Sequence, residues 1–221
     1  MQRFFDIVFS WLALIVFSPF LIPIAIILRF TGEGEVFYIQ PRVGKDGKKF
    51  GVFKFATMLK DSENIGTGTV TVKNDPRVLP VGKFLRKTKI NELPQLINIF
   101  LGDMSVIGPR PQTERCFLAF PKESQDIIVK VKPGLSGIGS IIFRDEENLL
   151  DNPDIDRVKY YDNVIAPYKG ELEQWYVEHQ SLYIYFMLIG LTVWIILFSD
   201  SKIYNKIFGD LPKPPRDLDR L

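Results

Sequence analysis

A carboxylate, an amide and several cations lie close together between residues 88 and 111 of this 221-residue chain. Asn91 and Glu92 stand just before an apolar stretch, and Gly108-Pro109-Arg110-Pro111 follows soon after. The start of a helix offers unpaired N–H groups and the positive end of the helix dipole, which attract anions. A carboxylate placed there can hold a divalent cation or attack a phosphorus centre. The spacing therefore predicts a site for phosphate chemistry.

Residue 91 is an amide, and asparagine is also a common N-cap residue. In that alternative Asn91 only caps the helix, and Glu92 only complements the helix dipole. Because an amide nitrogen is not basic, Asn91 cannot act as a nucleophile in the way that a carboxylate does. Glu92 is the candidate nucleophile and the candidate Mg²⁺ ligand of the pair.

Basic residues surround this pair along the sequence. Arg110 has the most distinctive setting, because Pro109 and Pro111 stiffen the backbone and Gly108 allows close approach. Its guanidinium suits bidentate binding of phosphate. For each of the other cations taken alone, solvation of the surface is the simpler explanation. These further candidates for phosphate binding are Lys54, Lys73, Arg77, Arg86, Lys87 and Lys89.

Three further segments are weaker candidates. Residues 132–139 form a Gly-rich turn that could cradle phosphate through backbone N–H groups, or could simply lead into a strand. The turn lacks the Gly-Lys-Ser/Thr of a P-loop. Residues 144–147 offer more carboxylates, and a solvated loop is the simpler explanation for them. Asp75 is expected to be a turn residue.

Composition argues against other kinds of site. A single histidine, His179, makes a histidine metal site or a Ser-His-Asp triad a poor expectation. A single cysteine, Cys116, excludes an internal disulfide. The formal net charge of +2 gives no reason to expect a nucleic-acid partner.

Strand signals precede the site in the sequence. Residues 36–40 and 50–55 are predicted to form two short strands, and the Asp46-Gly47 pair between them is a strong hairpin signal. Residues 69–72 alternate between apolar and polar, as in a half-buried strand.

Two helices are predicted to carry the site. The first covers about residues 81–87, with Phe84 and Leu85 facing inward. The second begins after Asn91 as its N-cap and ends at Gly102. Its apolar residues recur at i, i+3, i+4 and i+7 and so form one face. They are Leu93, Leu96, Ile97 and Phe100.

Residues 7–28 form an uncharged segment that is long enough to be a membrane helix. Ser18-Pro19 is a predicted break, because proline lacks an N–H and serine can bond the freed carbonyl. The arms on either side, about 22 Å and about 18 Å long, are each shorter than a membrane core of about 30 Å. Since basic residues flank both ends, a re-entrant helix is favoured over a kinked single span.

A second apolar run, residues 182–198, contains aromatic residues that suit a membrane interface. It could lie at the interface, span with difficulty, or form a core helix. We therefore predict a small, irregular α/β or α+β domain associated with a membrane. The expected parts are a membrane helix (1–31), a cytoplasmic catalytic domain (32–180), and an apolar segment with a polar tail (181–221).

In order along the chain, these motifs resemble those of the bacterial sugar transferases, the monotopic polyprenyl-phosphate glycosyl-1-phosphate transferases. The resemblance covers about residues 1–140 and thins after that, apart from Trp175-Tyr176. The matching segments are Ser18-Pro19, Gln40-Pro41-Arg42-Val43-Gly44, Phe53-Lys54-Phe55, Asn74-Asp75-Pro76-Arg77, residues 81–88, residues 91–96, Gly102-Asp103-Met104-Ser105, Gly108-Pro109-Arg110-Pro111 and residues 132–137.

The resemblance implies transfer of a sugar-1-phosphate from a nucleotide sugar, usually a UDP-sugar, to undecaprenyl phosphate. UMP leaves, and the lipid product starts assembly of a membrane glycan such as an exopolysaccharide or a lipopolysaccharide. The resemblance also implies Mg²⁺, a re-entrant helix broken at Ser18-Pro19, and a catalytic domain on the cytoplasmic face of the bacterial inner membrane.

Site residues also follow from the resemblance. Family members carry an Asp-Glu dyad at the positions of Asn91 and Glu92. The Asp forms a covalent phosphosugar intermediate, and the Glu helps to bind the metal. Arg86, Lys87 and Arg110 match the basic motifs that hold phosphates.

This chain departs from the family pattern at two positions. Asn91 replaces the dyad aspartate, and Ala56 replaces the usual arginine after Lys54-Phe55. For an active enzyme, either Glu92 takes over as nucleophile or a carboxylate such as Asp145 or Glu146 reaches the site.

The favoured hypothesis is an active phosphoglycosyl transferase whose partners are a nucleotide sugar, a polyprenyl phosphate and a membrane. The alternative is a catalytically silent member that binds nucleotide sugar or lipid as a scaffold. The sugar, the nucleotide base, the glycan pathway and the oligomeric state, a homodimer included, are left open.

Overall fold

The computed structural model describes residues 1–60, 62–64, 75–150, 155–198 and 201–218. The predicted strand at 69–72 and the candidate cation Lys73 lie outside these residues. The α-helices are α1 Gln2–Phe30, α2 Pro80–Lys87, α3 Gln95–Leu101, α4 Glu114–Leu118, α5 Lys122–Ile128, α6 Ile138–Ile142, α7 Glu146–Leu149, α8 Arg157–Tyr160, α9 Ala166–Glu178, α10 Leu182–Leu197 and α11 Tyr204–Ile207. The strands are β1 Phe37–Val43, β2 Lys49–Phe55, β3 Ser105–Ile107 and β4 Gly134–Ser136. The mixed helix and sheet class is confirmed.

Strands β1 and β2 pair as a two-stranded hairpin, which confirms the strands predicted around Asp46-Gly47. Asp46 and Gly47 both have positive φ angles, 57° and 71°. The Lys48 N–H closes the turn by donating to the carbonyl of Lys45, and Asp-Gly readily adopts the positive φ angles at its centre. The turn carries three 3₁₀ residues, Lys45–Gly47.

The Gly-rich segment forms strand β4, which pairs with β3 in parallel through Ser105 with Gly134 and Ile107 with Ser136. A Cβ atom on Gly134 would overlap the backbone of Gly108. The glycines in this segment thus allow two backbones to touch. Of the two roles considered for residues 132–139, the structure supports the one that leads into a strand.

By its internal contacts the chain divides into two compact units. Unit 1 consists of Met1–Asp6, Arg42–Phe50 and Gly102–Leu221, and unit 2 consists of Ile7–Pro41 and Gly51–Leu101. These bounds differ from the predicted boundaries near residues 31 and 180. Those boundaries concern membrane and catalytic parts, and they stay predictions.

Unit 1 is built around α9, which packs against α5 and α6. Helix α10 contacts α6, β3 and β4 and buries Tyr185, Leu188, Leu191 and Ile195. Residues on the opposite side of α10, such as Phe186 and Leu197, are apolar and exposed. The second apolar run is therefore a core helix along one face only.

In unit 2, Leu28 of α1, Phe55 of β2 and Leu85 of α2 form a buried cluster. Phe84 is 61% exposed, so the prediction that it faces inward is wrong. The buried face of this short helix runs through Gly82 and Leu85, three residues apart, and Phe84 lies off that face.

Helix α1 runs without interruption from Gln2 to Phe30, with Pro19 inside it. It is long and apolar enough to cross a membrane. The Ser18 hydroxyl donates to the carbonyl of Ile15 at 2.8 Å. This is the carbonyl that Pro19 leaves without its usual donor, so the predicted serine bond is confirmed. The break itself is not confirmed by this structure.

Candidate functional site

Asn91 and Glu92 lie in unit 2 on a 3₁₀ turn, Ile90–Glu92. The prediction that Asn91 is the N-cap of the following helix is wrong. Pro94 has no N–H, and the first bonds after the turn run from Leu96 to Leu93 and from Ile97 to Pro94, so α3 starts only at Gln95.

Asn91 is 8% exposed, and its Oδ1 atom has no hydrogen-bond donor in the described part of the chain. A buried carbonyl oxygen left without a donor costs on the order of 1–3 kcal/mol. Such an atom in a native structure calls for an explanation, and a bound ligand, water or ion is one. The neighbouring Glu92 side chain is half-buried.

Helix α3 is oriented by a residue that the sequence analysis missed. Asn98 is fully buried, and its Oδ1 accepts the N–H of Phe53 at 2.9 Å. Its Nδ2 donates to the carbonyl of Gly51 at 2.8 Å. The buried face of α3 passes through this side chain, which leaves Phe100 41% exposed instead of inward. An asparagine in the middle of the apolar stretch at residues 96–101 was the available signal.

Four of the predicted phosphate-binding cations in unit 2 are exposed or half-buried, namely Lys54, Arg86, Lys87 and Lys89. Helix α2 packs against the 3₁₀ turn that carries Glu92, and Arg86 and Lys87 form its last turn. Arg86 is half-buried, with Nη1 3.7 Å from Met58 Sδ, and Lys87 is exposed. The Lys54 ammonium donates to Gln40 Oε1 at 3.1 Å.

Arg77 has a different setting, because it is 4% exposed and lies against a carboxylate. Its Nε donates to Asp75 Oδ1 at 2.9 Å and its Nη2 to Asp75 Oδ2 at 2.6 Å. A third donor, Nη1, bonds the carbonyl of Ser62. Asp75 Oδ1 also accepts the N–H of Arg77, which confirms the turn expected at Asp75. The geometry favours a structural role for Arg77.

Arg110 lies in unit 1 on a loop whose backbone is fixed by hydrogen bonds to neighbouring segments. The Gly108 N–H donates to the Ser136 carbonyl at 2.9 Å, and the Pro109 carbonyl accepts the N–H of Gly134 at 2.8 Å. The four residues around Arg110 are buried and Arg110 itself is half-buried. A side chain that leaves so fixed a backbone is well placed to recognise a ligand.

The N–H of Arg110 donates to Glu173 Oε1 at 3.1 Å. Glu173 in α9 is fully buried, and its Oε2 has no partner among the described residues. Burial raises the pKa of Glu173 to about 7, although the Arg110 N–H and Lys169 oppose that shift. Glu173 was not among the residues predicted from the sequence. An acid among Leu172, Trp175 and Tyr176 was the available signal.

Asp6 is a second buried carboxylate that the sequence analysis did not assign. Its Oδ1 accepts the Ser105 hydroxyl at 2.8 Å, the Val106 N–H at 2.9 Å and the Tyr185 hydroxyl at 2.9 Å. Gln2 donates to Ser105 as well. The first residues of α1 are thus anchored within unit 1.

The acidic segment after α6 is only in part a solvated loop. Glu146 accepts the buried ammonium of Lys169 at 2.6 Å, whereas Asp145 is exposed. Among the described residues, no group of three or more His, Cys, Asp or Glu side chains converges to hold a metal.

Comparison with known proteins gives one family and several relatives. The profile described as "Bacterial sugar transferase" matches residues 1–199. UDP-glucose:undecaprenyl-phosphate glucose-1-phosphate transferase of Escherichia coli (strain K12) is 41% identical over 147 residues, 64% of this chain and 31% of the relative.

Two further relatives are similar. The UDP-N-acetylgalactosamine-undecaprenyl-phosphate N-acetylgalactosaminephosphotransferase of Aeromonas hydrophila is 36% identical over 143 residues, 64% of this chain and 34% of the relative. The exopolysaccharide production protein ExoY of Rhizobium meliloti (strain 1021) is 35% identical over 159 residues, 66% of this chain and 70% of the relative. The chain spans about a third of the length of the two named transferases.

The family profile covers the apolar helix, the turn with Glu92 and the loop with Arg110 in one continuous match. The resemblance noted in the sequence is confirmed, and the chain belongs to the bacterial sugar transferase family.

Proposed function

We propose that this chain transfers a sugar-1-phosphate from a UDP-sugar to a polyprenyl phosphate such as undecaprenyl phosphate. The observation that carries the proposal is the similarity to two relatives whose names describe this reaction, at 41% and 36% identity. A phosphate oxygen of the lipid becomes bonded to the sugar-linked phosphorus. The bond from that phosphorus to UMP breaks, and UMP leaves. The two names differ in the sugar, so the sugar stays open. A silent scaffold has no support from these relatives.

Phosphoryl transfer depends mainly on positioning and on stabilising negative charge. We assign phosphate binding to Arg110, because a fixed loop presents its guanidinium. Arg86 and Lys87 are assigned the same role, since their helix packs against the turn that carries Glu92. Lys54 joins them as a weaker candidate.

The residues present could bind Mg²⁺ if the substrate phosphates supplied most of its ligands. Magnesium in such sites commonly uses one or two carboxylates together with substrate phosphates and water. Glu92 would supply the carboxylate. Asn91 Oδ1, which has no donor among the described residues, marks a place for a further partner. When bound, the ion would neutralise charge on the diphosphate. Glu92 is also our candidate for the nucleophile, because Asn91 lacks a carboxylate. In that route a Glu92 oxygen first bonds the sugar-linked phosphorus as UMP leaves, and the lipid phosphate oxygen then displaces Glu92 from that phosphorus.

We propose further that α1 enters and leaves one leaflet, with the rest of the chain on the cytoplasmic face of the membrane. Gln2, before the apolar run, and residues 42–50, after it, belong to the same compact unit. A compact unit lies on one side of a bilayer, which supports a helix whose two flanks share that side. The exposed apolar face of α10 suits the interface on that side.

Single cysteines test this topology. Gln2→Cys and Lys45→Cys should react with an impermeant thiol reagent from the same face of sealed vesicles. Because Cys116 is native, the substitutions are made in a Cys116→Ser chain. Labelling of the two positions from opposite faces would rule out the re-entrant helix.

The activity is tested by UMP release from UDP-glucose and UDP-N-acetylgalactosamine, with undecaprenyl phosphate and Mg²⁺. The proposal expects lipid-dependent release by the native chain and loss of release in Glu92→Gln. If only the Asn91→Asp protein releases UMP, the substrates are correct and the native chain is inactive because of residue 91. No release by either protein with any UDP-sugar would contradict the proposal.

A further inference from the structure

The backbone of residues 109–111 has a single hydrogen-bond donor. Pro109 and Pro111 carry no N–H, so the amide of Arg110 is the one donor in this stretch. The carbonyls nearby are all engaged. The Pro109 carbonyl accepts the N–H of Gly134. The Arg110 carbonyl accepts a hydrogen bond from the Gln112 side chain, and the Pro111 carbonyl accepts one from Arg42. The remaining group, the Arg110 N–H, is bonded by Glu173 alone among the contacts described.

We infer that Glu173 is a positioning residue for Arg110. This inference rests on the phosphate-binding role proposed above for Arg110. Glu173 acts through the main chain of the loop, from a side chain that is itself fully buried and out of reach of substrate.

The surroundings of Glu173 are shaped for its carboxyl group. A Cβ atom on Gly139 of α6 would overlap Glu173 Oε1, so the glycine leaves the space that the carboxyl occupies. Burying a carboxyl group with one hydrogen bond is costly. An apolar residue at this position in α9 would avoid the cost of burying a carboxyl group. The presence of Glu173 there therefore indicates that its bond to Arg110 has a role.

Few charges act on this carboxyl group. Lys169, one turn earlier in α9, and Arg110 favour its ionised form, and Lys169 is itself paired with Glu146. Tyr176 follows in the next turn of α9, and burial raises the pKa of its hydroxyl to about 12, so it stays neutral. From α5, Ser124 faces α9 and bonds Gln174. The fully buried Oε2 of Glu173 is left without a partner among the described residues.

Hydrogen–deuterium exchange isolates the bond in question. Because the two prolines have no amide hydrogen, the deuterium gained by residues 109–111 reports the Arg110 N–H alone. We expect slow exchange in the native chain and in Glu173→Gln, whose side-chain carbonyl can still accept. In Glu173→Ala exchange should be at least about 10-fold faster, since hydrogen-bonded amides are protected from exchange. The exposed Glu171→Ala is the matched control and should behave as the native chain does.

A second variant displaces Glu173 without altering it. Gly139→Ala should speed Arg110 exchange as Glu173→Ala does, whereas Gly190→Ala, with open space around it, should not. Unchanged protection of the Arg110 amide in both Glu173→Ala and Gly139→Ala would overturn the inference.

A double-mutant cycle tests the consequence for catalysis. Glu173→Ala should raise the KM for the UDP-sugar about 10-fold in the native chain and less than about 2-fold in an Arg110→Ala chain, because coupled residues are not additive. Equal effects in both chains would show that Glu173 does not act through Arg110. The exchange measurement needs no activity. Normal protection in a chain that never turns over would therefore count against the proposed function and leave the Glu173–Arg110 bond intact.

Discussion

Arg77 and Asp75 form a buried, doubly hydrogen-bonded ion pair, with Nε 2.9 Å from Oδ1 and Nη2 2.6 Å from Oδ2. Both side chains are at most 4% exposed. Removing one partner of a buried pair leaves the other charge uncompensated, which typically costs about 3–5 kcal/mol. The pair therefore stabilises the turn that precedes α2.

Replacing Arg77 should damage the fold more than substrate binding. We expect Arg77→Ala to lower the free energy of unfolding by about 3 kcal/mol or more. The exposed Lys83→Ala in α2 is the control and should change it by less than about 0.5 kcal/mol. Urea titration of the purified protein measures both. A fully stable Arg77→Ala protein with weaker UDP-sugar binding would instead make Arg77 a substrate ligand.

Removing the Asn98 side chain should also destabilise unit 2. Asn98→Ala leaves the Phe53 N–H and the Gly51 carbonyl without partners, each at about 1–3 kcal/mol. The exposed Asn205→Ala should be close to neutral. Equal melting temperatures for the two variants would show that Asn98 does not hold α3 in place.

Local signals in the sequence predicted the local structure well. One or two residues decide each of three local features: the Asp46-Gly47 turn, the serine bond beside Pro19, and the end of α3 before Gly102, whose φ is 102°. The family motifs also pointed to the correct family, because they consist of specific residues in a specific order.

The Asn91 cap was wrong for a local reason, because Pro94 delays the start of α3 to Gln95. The other errors arose where distant parts of the chain decide the outcome. Phe84 was predicted to face inward with Leu85, and Phe100 fits the apolar face of α3 by spacing. The helices bury Leu85, as predicted, and Asn98, whereas Phe84 and Phe100 are exposed. Asp6, Asn98 and Glu173 bond partners 45 to 179 residues away. A polar residue among apolar ones was a local signal for Asn98 and Glu173, but the local sequence could not identify their partners. The roles of Glu92, Arg86, Lys87 and Arg110 stay predictions.

The Gly-rich segment at 132–139 gives a prediction about stability. Gly134→Ala should weaken the fold by forcing apart the backbones of Gly134 and Gly108, at a cost of about 1–3 kcal/mol for overpacking. Gly209→Ala, with no neighbour within 4 Å, is the control. Thermal unfolding compares the two. An unaltered melting temperature in Gly134→Ala, together with weaker nucleotide binding, would favour the phosphate cradle.

Glu173 should make stability depend on pH. The pKa of its carboxyl group is about 7 in the folded chain against an ordinary value of 4.5. Well below pH 4.5 the group is protonated in both states. As pH rises to about 7, the unfolded chain releases this proton while the folded chain keeps it, so stability falls by about 3 kcal/mol in total.

Glu173→Gln resembles the protonated carboxyl group and should remove this part of the pH dependence. Unfolding curves of the native chain, Glu173→Gln and the control Glu171→Gln between pH 5 and pH 8 decide the matter. The native and control proteins should lose stability as pH rises, relative to Glu173→Gln. Parallel curves for all three proteins would mean that Glu173 titrates normally.

The central claim is that sugar and phosphate move together, and a doubly labelled substrate tests this most directly. The UDP-sugar carries one label in the sugar and a second in the sugar-linked phosphate, and the lipid product is extracted and counted. Transfer of a sugar-1-phosphate predicts both labels in the lipid in a 1:1 ratio, with an equal amount of UMP released. Sugar label alone in the lipid, with the labelled phosphate left in UDP, would contradict the account.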